Sequence, residues 1–292
     1  MEPILQVKNI SKEFPGVKAL TDVSVDFYPG EVHTLVGENG AGKSTLIKII
    51  SGVYIPTKGN IFFEGKEIEF TSPRQAIDKG IAVIHQELSI AKDLTVAQNV
   101  WLGREIKKKS GFLDMATMNK KTQEILDFME VDIKAQEIAG ELNAAQQQMI
   151  EIAKVISQDA KIVVMDEPTS SLTEPEVIKL FSIVRSLSQK GVSFVFISHK
   201  MNEIFQICSE VAVLRDGRLT LAKNINDTNM NELISAMVGR SLEKRFPDVD
   251  NEVGADYFEV RNITTRYEPQ LKDISFTVKK GEIFGLYGLV GA

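Results

Sequence analysis

The stretch that most restricts what this chain can become is GENGAGKST, residues 37–45. It fits the pattern Gly, four variable residues, then Gly-Lys-Ser/Thr, between the apolar run EVHTLV and the helical run KSTLIKIISG. A glycine-rich turn that enters a helix aims several backbone N–H groups and the positive end of the helix at one point, which suits phosphate. In that arrangement Lys43 reaches the β- and γ-phosphates of a nucleotide, and the Ser44 hydroxyl can ligate Mg2+. The alternative is a glycine-rich turn with a surface lysine. Chance would produce the pattern about once in a hundred chains of this length, and the strand-loop-helix setting makes chance rarer still.

The rest of the patterning agrees with an α/β fold. ILQVKNI, VSVDFY, EVHTLVG, GNIFFEG, IAVIH, KIVVMDE, SFVFIS and VAVLRDG are short runs rich in Val, Ile and Phe, bounded by Gly, Asp or Pro, and they read as strands. Several are apolar on both faces, as strands of a parallel sheet covered by helices must be. Helical periodicity marks MNKKTQEILDFME, QQMIEIAKVIS and EPEVIKLFSIVRSLSQKG. Between about residues 88 and 158 helical pattern dominates, so a mostly helical subdomain is expected as an insertion between strands of the sheet.

The run IVVMDEP, 162–168, supplies a second half to the phosphate site. An apolar strand delivers Asp166 at its C-terminal end, where a carboxylate can hold Mg2+, and Glu167 beside it can polarise an attacking water. Alone, two acids at a strand exit are unremarkable; after a phosphate loop in the same unit they carry weight. Gln86 in VIHQEL and His199 in FISHK end two further strands at the edge where ligand sites of α/β folds gather. His85 and His33 are read as structural.

The chain also repeats itself. LQVKNISKEF (5–14) returns as FEVRNITTRY (258–267), and PGEVHTLVGENGA (29–41) as KGEIFGLYGLVGA (280–292). A repeat at this spacing is a second copy of a whole domain rather than a solenoid unit. The expected organisation is a first domain at 1–240, a polar linker at 241–256, and the truncated start of a second domain at 257–292. With 34 basic against 40 acidic residues, the net charge of −6 disfavours a chain that coats nucleic acid. A single cysteine, Cys208, rules out an internal disulfide framework and fits a reducing compartment. The start MEPILQVKNI lacks the basic and apolar regions of a signal peptide, and no apolar window is long enough to span a bilayer. A cytoplasmic protein is expected, reaching a membrane only through a partner.

The ordered set GENGAGKST, HQE, LNAAQQQMIEIAKVI, VVMDEPTSSLT and ISHK resembles the nucleotide-binding subunit of an ATP-binding cassette (ABC) transporter, across residues 1 to about 240. FPGVKAL, LVGENGAGKSTLIKIISGVYIPTKG and GIAVIHQELSIAKDLTVAQNVWLGRE look like the tandem ATPases that power bacterial importers of ribose, galactose, xylose or arabinose. The resemblance implies a P-loop NTPase with a mostly parallel central sheet, an N-terminal antiparallel β subdomain and the inserted helical subdomain. It implies ATP and Mg2+ as ligands. Phe14 would stack on adenine, and Gly37, Glu38, Asn39, Gly40, Ala41, Gly42, Lys43, Ser44 and Thr45 would cradle the phosphates. Gln86 would sense Mg2+ and couple to the permease; Ser44, Gln86 and Asp166 would surround the metal. Glu167 would be the general base, His199 the switch at the γ-phosphate, and Leu142, Asn143, Ala144, Ala145 and Gln146 the signature that faces a second cassette. The implied partners are membrane permease subunits, indirectly an extracytoplasmic sugar-binding protein, and a second cassette paired head to tail, with no nucleic acid. The implied location is peripheral, on the inner face of the cell membrane.

Two stretches depart from the family pattern. The signature is usually L-S-G-G-Q, and here it reads LNAAQ, which hinders backbone approach to a phosphate. The loop after Glu167 is usually S-A-L-D, and here it is Ser170-Ser171-Leu172-Thr173, without the carboxylate. Trp101 and Leu102 read equally as docking anchors for a permease and as subdomain core. Soluble tandem cassettes of the ribosome-associated or DNA-repair kind remain an alternative, although the short linker, acidic charge and single cysteine disfavour them. An intact Glu167 and His199 disfavour a non-catalytic nucleotide-gated module.

Overall fold

A computed structural model describes residues 2–86, 88–239, 252–266 and 271–287. It divides into two compact units, Met1–Ser241 and Leu242–Ala292. The first runs β1 (Leu5–Phe14), β2 (Val17–Phe27), β3 (Val32–Val36), α1 (Lys43–Ile50), β4 (Lys58–Phe63), β5 (Lys66–Ile68), α2 (Pro73–Asp78) and β6 (Ile81–Ile84). It continues through α3 (Val96–Val100), α4 (Met115–Phe128), α5 (Ala144–Ile156), β7 (Ile162–Asp166), α6 (Glu174–Gln189), β8 (Ser193–Ile197), α7 (Met201–Ile207), β9 (Glu210–Arg215), β10 (Arg218–Asn224) and α8 (Met230–Val238). The second unit holds β11 (Asp256–Ile263) and β12 (Ile274–Lys279).

The central sheet has six strands in the order β10-β9-β3-β8-β7-β6. β9, β3, β8, β7 and β6 are parallel, and β10 closes the edge antiparallel to β9. A separate antiparallel sheet, β2-β1-β4-β5, forms the N-terminal part of the unit. This is the expected α/β architecture. Between β6 and β7 the described residues form α3, α4, α5, a short 3-10 turn and no named strand, in keeping with a helical insertion.

Burial follows from the sheet lying between two cores. Every residue of β3 and β8 is buried. On one face Phe194, Phe196, Val163 and Met165 pack with Leu126, Ile150, Phe181 and Val184 from the helices. On the other, Val195, Ile197, Ile162 and Val164 pack with Leu46 and Ile49 of α1 and with Leu5, Val7 and Ile61 of the antiparallel sheet. Both faces are dry, so these strands show near-continuous apolar runs. The five parallel strands deliver their C-terminal ends to one edge, and there Gly37, His85, Glu167, Ser198 and Asp216 begin the loops that form the site.

In the second unit β11 and β12 make an antiparallel pair. EIFGLYG, which repeats the segment that forms β3 in the first unit, does not form a strand in its described part: residues 282–287 are irregular.

Candidate functional site

The phosphate loop leaves β3 and enters α1 through Gly42, whose φ of 103° is open to glycine at little cost. A Cβ at that position would lie 2.6 Å from Leu20 Cδ2 and 2.8 Å from the Ala19 carbonyl oxygen, so the close approach also requires glycine. Lys43 is the first residue of α1, Ser44 and Thr45 follow, and the N–H groups of this first turn have no intrahelical acceptor. The Lys43 ammonium turns back on its own loop, donating to the carbonyls of Gly37 at 2.7 Å and Glu38 at 3.0 Å. Burial pushes its pKa down, opposed by the charges of Asp166 and Glu167.

Across the cleft, β7 ends at Asp166 and the chain turns sharply at Glu167, a non-glycine residue with φ 49°. The Glu167 N–H donates to the Ile197 carbonyl at 3.0 Å, tying the turn to the end of β8. Its carboxylate is met from two sides. Gln86 Nε2 donates to Oε2 at 3.1 Å, and His199 Nδ1 lies 3.0 Å from Oε1. A carboxylate only accepts, so Nδ1 is the donor in this contact, and in the neutral imidazole Nε2 is then an acceptor. Asp166 is half-buried; desolvation first, then the neighbouring Glu167, raise its pKa, while His85, Lys43 and Lys48 lower it.

A cleft of about 510 Å³ is lined by Asn39, Gly40, Gly42, Lys43, Ser44, Thr45, Gln86, Asp166 and Glu167. Gly37, Glu38, Ala41 and His199 are not part of its lining, and His199 reaches it only through its contact with Glu167. The oxygen donors available for a metal are the Ser44 hydroxyl, the Gln86 carbonyl and the Asp166 carboxylate. One carboxylate with neutral oxygens fits Mg2+, which keeps water and phosphate oxygens among its ligands. Among the described residues no cluster of three His, Cys, Asp or Glu side chains suits another metal.

Not every expected residue joins this cleft. Phe14, at the end of β1, meets Tyr54 edge to face with ring centroids 5.3 Å apart, and the Lys12 ammonium lies 5.3 Å from the Phe14 centroid. Its strand partner Val17, with Lys18 and Ala19, lines the cleft, and Phe14 itself does not. Leu142, Asn143, Ala144, Ala145 and Gln146 form the start of α5 and do not line the cleft. There Asn143 is the N-cap: its side chain accepts from the Gln146 N–H at 2.8 Å, and Gln146 Oε1 accepts from the Asn143 N–H at 3.1 Å. Asparagine thus does the capping work open to serine. Ala145 is buried and Ala144 exposed, so only one of the two added methyl groups stands at the surface. Thr173 likewise begins α6, with its N–H and hydroxyl both donating to Glu176 Oε2, at 2.7 and 2.8 Å.

Trp101 belongs to the helical core: Nε1 donates to Thr122 Oγ1 at 3.0 Å, and the ring packs against the buried cluster. One part of it lines a groove of about 500 Å³ with Ile125, Phe128 and Leu187, which contains none of the charged groups above. His33 is buried and accepts from the Tyr28 N–H at 2.9 Å, a structural role. Val17, Lys18, Asp216 and Gly217 line the cleft without having been singled out. Asp-Gly after a strand signals a turn, and that turn falls at the same sheet edge as the other loops.

A family model described as ABC transporter matches residues 20–170, just over half of the chain. The chain belongs to the ABC transporter family. Among the relatives is the galactose/methyl galactoside import ATP-binding protein MglA of Treponema denticola, 51% identical over 289 residues, which are 99% of this chain and 58% of that protein. The protein of the same name from Escherichia coli K12 is 49% identical over 291 residues, 100% of this chain and 57% of that protein. The chain therefore spans less than two thirds of the length of the curated relatives it matches. A solved ATP-binding cassette of an ABC transporter in its ADP conformation superposes with TM-score 0.72 at 27% identity, covering 82% of this chain and 100% of that one. A nucleotide-free cassette gives TM-score 0.69 at 27% identity, covering 82% and 96%. The family's fold is the one described above.

Proposed function

We propose that this chain binds ATP with Mg2+ in the cleft at the phosphate loop and hydrolyses it, as part of a tandem-cassette protein that energises import of a simple sugar. The observation that carries the proposal is the meeting of Gln86 and His199 on the Glu167 carboxylate, across one cleft from Lys43 and the start of α1. Galactose or a methyl galactoside is the sugar class favoured by the names of the relatives.

The backbone amides of residues 40–45 and the Lys43 ammonium hold the β- and γ-phosphates. Ser44, Gln86 and Asp166 would hold the metal, which would neutralise charge on the phosphate oxygens. Glu167 accepts a proton from water as the water oxygen bonds to the γ-phosphorus and the bond to the ADP oxygen breaks. Gln86 and His199 hold the Glu167 carboxylate in place, and His199 reaches a γ-phosphate oxygen as an imidazolium, in which Nδ1 still donates to Glu167 and Nε2 donates to the phosphate. Phe14 moves from Tyr54 to the adenine. Residues 142–146 act on the nucleotide of a second cassette, and the exposed methyl of Ala144 weakens that contact relative to glycine.

Residues 1–240 form the first cassette, 241–256 the linker and 257–292 the start of the second; of these, Met1, Glu87, 240–251, 267–270 and 288–292 lie outside the described residues. Among the described residues no helix is long and apolar enough to cross a membrane. The protein works from the cytoplasmic face through permease subunits, and the sugar reaches the permease from an extracytoplasmic binding protein. Purified chain with Lys43→Ala is expected to lose ATP affinity at least about a hundredfold, and Glu167→Gln to keep affinity and lose turnover by about 10²–10⁴-fold, as removal of a general base does. Wild-type turnover in Glu167→Gln would remove that residue from the chemistry.

A further inference from the structure

The segments that carry Glu167 and His199 also hold a polar cluster with no part in the steps above. Glu203, on α7, is buried. Its Oε2 accepts from the Thr169 hydroxyl at 2.7 Å and from the Ser198 hydroxyl at 3.1 Å, both in buried contacts. Its Oε1 pairs with the Lys200 ammonium at 3.0 Å. Lys200 closes the ring: Nζ also donates to the Thr169 carbonyl at 3.0 Å, and its backbone N–H donates to Ser198 Oγ at 3.0 Å.

Thr169 stands two residues after Glu167, and Ser198 stands immediately before His199. One carboxylate therefore fastens the segment leaving Glu167 to the segment carrying His199. The two segments are joined again by the hydrogen bond from the Glu167 N–H to Ile197. Glu167 sits at a positive φ, a conformation that persists when surrounding contacts over-determine it. His199 is mostly exposed, with about two thirds of its side-chain surface open, and little packing holds its ring. What fixes the ring is the backbone beneath it, and Ser198 anchors that backbone to Glu203.

We propose that Glu203 is a positioning residue: with Thr169, Ser198 and Lys200 it clamps the two loops so that His199 Nδ1 stays on the Glu167 carboxylate. Its effect on turnover rests on the hydrolytic function proposed above, whereas its effect on the His199–Glu167 contact does not. A buried carboxylate that accepts two hydroxyl donors and an ammonium is satisfied only while both loops are in place, so the network behaves as a unit.

The test uses the full chain labelled with ¹⁵N-histidine, in which His33, His85 and His199 are the only histidines. Long-range ¹H–¹⁵N correlation spectra report which imidazole nitrogen carries the proton. Wild type is expected to hold His199 in the Nδ1–H form, and Glu167→Gln marks the position of the signal without the carboxylate. Glu203→Gln is expected to move His199 toward the Nε2–H form that free histidine prefers. The gentler variants Ser198→Ala and Thr169→Val, each deleting one hydroxyl, are expected to move it part of the way while the melting temperature stays close to wild type. Turnover should fall about ten- to a hundredfold in Glu203→Gln at unchanged ATP affinity, as loss of alignment does. In the Glu167→Gln background the same change should lower residual turnover no further. An unaltered His199 tautomer in all three variants overturns the clamp. So does a fall in ATP affinity and melting temperature in all three with the tautomer intact. A wild-type chain that fails to hydrolyse ATP but shows the tautomer shifts refutes the hydrolytic function and leaves the clamp standing.

Discussion

β1 and β11 carry the two copies of one sequence and build the same local design. Asn9 and Asn262 both take positive φ, 52° and 46°, as do Asp22 and Asp273 on the facing segments. The Asn9 N–H donates to Ser24 Oγ at 2.8 Å, and the Asn262 N–H to Ser275 Oγ at 2.8 Å. In each copy the asparagine side chain donates to the aspartate, and in each the register shifts just before the following isoleucine. Burial is where they part. Leu5 is 0% exposed, while its counterpart Phe258 is 57% exposed, and Ile10 and Ile263 differ as 0% and 45%. Side chain-to-backbone bonds within the hairpin set its shape, and the elements packed on it decide whether its apolar face contributes to stability.

Four measurements press on that contrast. Leu5→Ala should cost about 2–5 kcal/mol of unfolding free energy, as large-to-small changes in a dry core do, and Phe258→Ala less than about 0.5 kcal/mol. Denaturant titration of both variants checks this, and equal losses would erase the distinction between the copies.

His33 provides a second contrast, because its counterpart in the repeat is Phe284. Burial lowers the His33 pKa from 6.5 to about 4, so the folded state resists protonation that the unfolded chain accepts. The stabilisation is fully present above pH 6.5 and is lost as pH falls toward 4, by about 3 kcal/mol in all. Unfolding curves at stepped pH should show that slope in wild type and a shallower one in His33→Gln. The repeat, with phenylalanine there, adds nothing to it.

Phe14→Ala should weaken ATP binding by about 1–3 kcal/mol if the ring leaves Tyr54 to stack on adenine, by analogy with base–aromatic stacking. Calorimetric titration gives the number, and unchanged affinity would return Phe14 to its pairing with Tyr54. Its counterpart, Tyr267, lies outside the described residues. The smallest effect is expected from removing residues 242–292. Melting should shift by no more than about 2 °C, which for a chain of this size is under 1 kcal/mol, with ATP affinity unchanged.

The elements legible in the sequence were those whose apolar residues outnumber their alternatives. β7 and β8 are buried on both faces and appear as near-continuous apolar runs, IVVM and FVFI; β3, equally buried, carries His33 and Thr34, each hydrogen-bonded to a backbone group. α4, α5 and α6 run 13 to 16 residues, long enough to repeat their pattern. α2, α3 and α7, of 5 to 7 residues, complete too few turns to show a period. β10 is an edge strand with little of its surface buried and was missed for that reason. At the site, the motif residues on the sheet edge could be placed because strand ends carry them to one line. The clamp on Glu203 could not, since Thr169, Ser198 and Glu203 are ordinary polar residues until the fold brings them together.

The ammonium of Lys43, resting on two carbonyls of its own loop, has a consequence for ligand choice. An arriving phosphate does not find a bare cation; it must outcompete contacts already made, so binding is an exchange whose gain depends on how much negative charge reaches that one nitrogen. A nucleotide whose phosphates stop short of it leaves the lysine where it is and gains only the amides of the loop. On the proposed nucleotide binding, a phosphate chain long enough to reach this nitrogen gains more from the loop than one that is not.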